Sequence, residues 1–146
     1  MRQVQQELLL SPWSNRLQKV QNQAARIVTL TKKRDHISPV LESLHWLPVE
    51  ERINFKVLCH AYNVKHDHAP EYLCNILKPY VPQRSLRSSD KNNFIVPRSN
   101  LLLGERAFSV YAAKKWNMLD GQLKSLTSIE SFKRHLKTHL FKMAFS

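Results

Sequence analysis

Residues 48–65 read PVEERINFKVLCHAYNVK, and their reading decides the fold. Pro48 pushes the residue before it out of the helical region and opens a helix after it. Glu50 and Glu51 fall in the first turn and Lys65 and His66 at the end, matching the helix macrodipole at both termini. Ile53, Phe55, Val57, Leu58, Ala61 and Tyr62 cover more than half the circumference. The spacing predicts a long helix, buried at the centre of the domain.

Helical signals continue on both sides. Upstream, Leu17, Val20, Ala24 and Ile27 alternate three- and four-residue steps, which predicts a helix over 15–29 with its stripe on the core. Arg16, Lys19, Gln23 and Arg26 follow the same rhythm one position earlier, as a ridge that serves either as a solvated flank or as a contact for a polyanion. The basic turn Lys32-Lys33-Arg34 leads to Ser38-Pro39, which starts a short helix through Leu44. Downstream, Ala69-Pro70 opens another short helix, closed by Pro79. Residues 80–100 form a basic polar linker in which Phe94-Ile95-Val96 is the one strand signal, pairing with the Leu86 region. A helix is expected over 105–116. Gly121 marks a turn, and Thr127-Ser-Ile-Glu130 reads as a capping box for the last helix.

The expected fold is therefore mainly α: one small domain of five or six helices with at most one short β-hairpin. Its parts are an atypical N-terminal extension (1–14), a helical core (15–79), the linker (80–100) and C-terminal helices (101–146). Trp46, Ile53, Leu58, Phe108 and Trp116 are the expected core anchors.

Composition narrows the function. Among 146 residues, 23 Lys and Arg face 11 acids, a net charge of +12. Residues 1–49 hold seven basic and three acidic groups, 50–83 four of each, and 84–146 twelve and four, so the ends carry the field. Such a balance points to a polyanionic partner. With only two glycines, Gly104 and Gly121, no glycine-rich phosphate loop exists, which excludes Rossmann and P-loop chemistry. Two cysteines, Cys59 and Cys74, make no disulfide framework. Leu8 to Leu10 is too short for a signal-peptide core, and no apolar run approaches membrane-spanning length. A nuclear or cytoplasmic, non-secreted protein is expected.

Catalytic signatures are missing. Glu50 and Glu51 point to different sides of a helix start, and the other acids do not cluster as two-metal catalysis requires. His66 with His68, His135 with His139, and Cys59-His60 with Cys74 are the conceivable metal ligands, but no Cys-x-x-Cys or His-Glu-x-x-His occurs. Cys59 and His60 are neighbours on a helix and face apart, which disfavours a nucleophile–base pair. No catalytic residue, metal site or cofactor is expected. The positive signal is Arg84, Arg87, Lys91 and Arg98 with Phe94 among them, joined by the ridge of Arg16, Lys19 and Arg26. Cations neutralise phosphates and aromatics stack on unpaired bases, so weak, non-specific binding of RNA or single-stranded DNA is expected there.

The strings themselves resemble a known region. Arg16-Leu-Gln-Lys-Val-Gln-Asn22 with Ala24-Ala-Arg26 is similar to the segment after the polymerase core in non-LTR retrotransposon reverse transcriptases of the jockey and chicken-repeat type. Asp35-His-Ile with Pro39, Leu44-His-Trp-Leu-Pro48, Ala69-Pro-Glu-Tyr-Leu73 and Leu86-Arg-Ser-Ser-Asp90 continue the resemblance in order. So do Val96-Pro-Arg-Ser99, Arg106-Ala-Phe-Ser-Val110, Trp116-Asn117 and Phe132-Lys133 with Leu136-Lys-Thr-His-Leu-Phe141. The resemblance spans about residues 15–146. It implies the tail of a longer enzyme that copies element RNA, without the palm's catalytic acid pair. Residues 1–14 do not resemble the junction expected there, which implies a truncated copy with a new start. Where that family has proline before Lys-Leu-Trp-Asn, this chain has Ala113 and Lys114-Lys115-Trp116, so the helix is expected to run unbroken through Trp116. Its Leu-Pro turn after Trp-Asn is here Leu119-Asp120-Gly121.

The expectation is a non-catalytic remnant of a retroelement reverse transcriptase with accessory nucleic-acid contact. The alternatives are a protein-interaction module that docks on a polymerase thumb, or a nonfunctional gene relic.

Overall fold

The computed structural model describes residues 12–82 and 92–146. Eight helices occur there: α1 (Pro12–Thr29), α2 (Ser38–Ser43), α3 (Val49–Lys65), α4 (Glu71–Ile76), α5 (Leu102–Glu105), α6 (Phe108–Met118), α7 (Gly121–Lys124) and α8 (Ile129–Phe145). The fold is mainly α, as the periodicities predict. The count exceeds five or six because α5 and α7 are single turns of four residues. Elements that short show no sequence period.

Two compact units make up the chain: Met1–Phe55 with Lys137–Ser146, and Lys56–Leu136. In the first unit, Gln18 Oε1 accepts from the Val49 backbone N–H at 2.8 Å, and Gln21 Nε2 donates to the Leu47 carbonyl at 2.8 Å. Gln18 thus satisfies one of the N–H groups that the start of α3 leaves open, and Gln21 ties the residue before Pro48 to α1. Ala25, Leu41, Leu47 and Leu140 are buried in this unit, and the rings of His45 and Phe141 stack at 5.6 Å.

The second unit holds the larger apolar core: Leu58, Ala61, Tyr62, Leu77, Phe94, Val110, Ala112, Ala113, Trp116, Phe132 and Leu136 are all buried. Tyr62 stacks on Phe132 at 4.4 Å between centroids, Phe132 meets Trp116 at 6.0 Å, and Trp116 meets Phe94 at 5.7 Å. The Tyr62 hydroxyl donates to the Leu126 carbonyl at 2.9 Å, so the ring is buried with its polar end satisfied. Burial pushes that phenol's pKa up. As expected, α6 continues unbroken through Trp116, and Ala113 is buried in it.

Among the described residues the β-structure is one antiparallel bridge, Pro79 to Phe94. The Tyr80 N–H donates to the Asn93 carbonyl at 2.8 Å and the Ile95 N–H to that of Lys78 at 2.9 Å. Phe94 therefore pairs with Pro79, and Leu86 lies outside the described residues. A proline fits here because this bridge is closed by the residues flanking position 79, so its missing N–H is not needed.

Two core expectations are overturned. Leu58 and Trp116 are buried as expected, but Ile53 on the same helix is 39% exposed, and Asn54 is buried instead. The stripe of α1 is the second. Leu17, Val20 and Ile27 are 56%, 62% and 75% exposed, while the sides carrying Ser14 and Ala25 are buried. The side of α1 with Ser14, Gln18, Gln21 and Ala25 faces inward, where Gln18 and Gln21 bond the start of α3, and this leaves the apolar arc facing out.

Candidate nucleic-acid interface

From Pro12 to Arg34 the chain holds six basic residues and no acid. At about 100° per residue, α1 places Arg16, Lys19 and Arg26 on one side of the helix, with Arg16 next to its exposed apolar arc and the other two farther round. Arg16 and Lys19 are exposed, and the Arg16 guanidinium lies 5.0 Å from the centroid of the Trp13 ring. That stacking leaves the charge outward and fixes its direction.

Arg26 also reaches beyond the helix. Its guanidinium donates to the Lys32 carbonyl and, at 2.8 Å, to the Asp35 carbonyl. The Asp35 carboxylate accepts from the Lys32 N–H at 3.2 Å, closing the turn. Arg26 is thereby a brace for the turn, and the groups it holds in place are Lys32, Lys33 and Arg34, all exposed. The sequence names these three as a basic turn but does not single them out as a site. Their local signal is the acid-free run on their N-terminal side.

The second unit carries Arg98, which is exposed. Arg84, Arg87 and Lys91, the centre of the expected linker site, lie outside the described residues. Of the seven expected contacts, the structure thus brings together Arg16, Lys19 and Arg26 on one helix. Phe94, the aromatic expected to stack on bases, is buried against Trp116.

Among the described residues the acids lie apart. Glu51 accepts from Asn54 Nδ2 at 3.1 Å, and Glu50 lines an open cleft of about 320 Å³ with Ser14, Gln18, Asn22 and Leu41. That lining offers amides, hydroxyls and one carboxylate, which is neither a carboxylate pair nor a nucleophile–base couple. Among the described residues no three His, Cys, Asp or Glu side chains come together as a metal site. Burial raises the Cys59 thiol above its ordinary range, the opposite of what a nucleophile needs. His66 packs on Tyr62 at 4.2 Å between rings, and burial lowers its pKa. Among the described residues no helix is long and apolar enough to cross a membrane.

No family model, no curated protein and no solved structure matches this chain.

Proposed function

We propose that this chain is a non-catalytic module that binds single-stranded RNA or DNA weakly and without strong sequence preference. The observation that carries the reading is the acid-free run to Arg34, which displays Arg16, Lys19, Lys32, Lys33 and Arg34 at the surface, the last three on a turn braced by Arg26. Cations held by a fixed turn neutralise phosphates without paying to order themselves first. The ordered likeness to the post-polymerase region of non-LTR retrotransposon reverse transcriptases supports an accessory role beside a polymerase, as a remnant without that enzyme's catalytic acids.

The test is titration of labelled single-stranded oligonucleotides at several salt concentrations. With about four phosphates neutralised, log K falls with log salt at a slope near −3. Changing Lys32, Lys33 and Arg34 together to Gln shallows that slope by about two units. The fold is kept, because of these three residues only Lys32 takes part in the turn's hydrogen bonds, and through its backbone alone. No binding at low salt, or an unchanged slope in the triple variant, overturns the reading. The same preparation does not extend a primer in magnesium or manganese; template-dependent extension by the purified chain overturns the non-catalytic part.

A further inference from the structure

The exposed arc of α1 is independent of the nucleic-acid reading, and it has a definite period. Trp13, Leu17, Val20, Ala24 and Ile27 alternate four- and three-residue steps, which is the 3.5-residue repeat of a coiled-coil seam. The arc they cover is about 80° wide. Arg16 flanks one border, with Lys19 farther round on the same side, and the other border is the side that carries the hydrogen bonds of Gln18 and Gln21 to the start of α3. The 18 residues of the helix include no Asp or Glu.

We infer that this seam docks a partner amphipathic helix whose apolar stripe has the same heptad repeat and whose flank is acidic. The repeat selects a helix as occupant, since only another helix presents side chains at matching intervals to fill the spaces between Leu17, Val20 and Ile27. The charge selects an acidic one. A carboxylate beside the seam meets Arg16 and lies in the field of Lys19, and their own helix offers neither a counter-charge in sequence. A second copy of this chain brings the same basic edge and no acid, so like charges oppose self-pairing. An anionic lipid surface calls for cations spread across the polar face of the helix, whereas part of the polar face of α1 is committed to the domain interior.

Two synthetic three-heptad peptides test this: one with a Leu/Ile seam and Glu flanks, and a twin with the same seam and Lys flanks. The full chain is titrated with each, and separately with vesicles of phosphatidylserine in phosphatidylcholine; its own association is followed by sedimentation. The acidic peptide is expected to bind and gain helical signal, at least about tenfold more tightly than its twin. The variant Leu17→Asn/Val20→Asn/Ile27→Asn abolishes that binding, and these exposed positions leave the helical spectrum of the chain unchanged. The variant Arg16→Gln/Lys19→Gln retains the seam and narrows the gap between the two peptides, which tests the pairing even if the triple variant fails to fold. Equal affinity for the twins, or acidic-peptide binding that the folded triple variant retains, overturns the inference. So does seam-dependent binding to vesicles, or seam-dependent dimerisation, in place of peptide binding.

Discussion

Asn117 holds Phe94 by both ends of its side-chain amide: Oδ1 accepts from the Phe94 N–H at 2.9 Å, and Nδ2 donates to the Phe94 carbonyl at 2.9 Å. One side chain therefore does what a neighbouring strand would do, on the side of Phe94 that the bridge to Pro79 leaves open. Trp116 Nε1 donates to the Asn92 carbonyl at 2.8 Å, and the buried Lys124 ammonium donates to Asn93 Oδ1 at 3.0 Å. Three consecutive residues are thus clamped from α6 and α7. The Trp116-Asn117 pair is understood as the fastening of an extended segment to a helical core.

Asn117→Ala leaves both backbone groups of a buried residue without these partners. Unpaired buried groups cost about 1–3 kcal/mol each, so a loss of at least about 2 kcal/mol is expected in chemical denaturation. Asn117→Asp keeps the acceptor but turns a carboxylate oxygen toward the Phe94 carbonyl. It should be as destabilised at neutral pH and recover in acid, where a protonated carboxyl can donate. A change under about half a kcal/mol in both variants would show that water replaces the amide.

Leu30→Gly should stabilise the chain. Leu30 ends α1 in the left-handed region at φ 55°, with the Thr31 N–H donating to the Arg26 carbonyl at 3.1 Å, the closure that glycine usually supplies. His45 and Asp67 end α2 and α3 the same way. A side chain costs about 1–2 kcal/mol in that region. Leu30 is 90% exposed and packs little in return. After the entropy glycine adds to the unfolded chain, a gain of roughly 0.5–1 kcal/mol is expected in the melting curve. A lower midpoint would mean that the Leu30 side chain stabilises the fold.

Leu58→Ala and Ile53→Ala should differ sharply although five residues apart on α3. Leu58 is 2% exposed, and its truncation should cost about 2–5 kcal/mol. Ile53, at the surface, should cost below about 1 kcal/mol. Equal losses in urea denaturation would put both on the core and refute the helix orientation.

Acid should weaken the fold through His66. Its pKa lies below the ordinary histidine value, first through burial and then through His68 and Lys65, with Asp67 pulling the other way. The unfolded chain therefore takes up the proton at higher pH than the folded chain does. Stability from this group is present above the ordinary value near 6.5 and is lost as pH falls from there toward the lower folded value. Thermal midpoints measured between pH 7.5 and 5 should fall less in His66→Gln than in the parent chain. Identical profiles would remove His66 as the cause.

What the sequence by itself determined is the helical class and most of its boundaries. Pro39, Pro48 and Pro70 each set a helix start through local backbone sterics, and the apolar patterns of 15–29 and 48–65 and the capping box from Thr127 to Glu130 need nothing distant to be recognised. Which face of a helix goes inward was not legible there. An apolar stripe states only that one side prefers to leave water; whether that side meets the rest of the chain depends on what other surfaces are offered. In α1 the bonds from Gln18 and Gln21 to the start of α3 compete with the stripe and turn it outward. Likewise Arg26 reads as one more ridge cation until the chain folds back and brings the carbonyls of Lys32 and Asp35 within reach of its guanidinium. Only the tertiary structure sets such distances, because hydrogen bonds act over a few ångströms between groups that sequence spacing does not place.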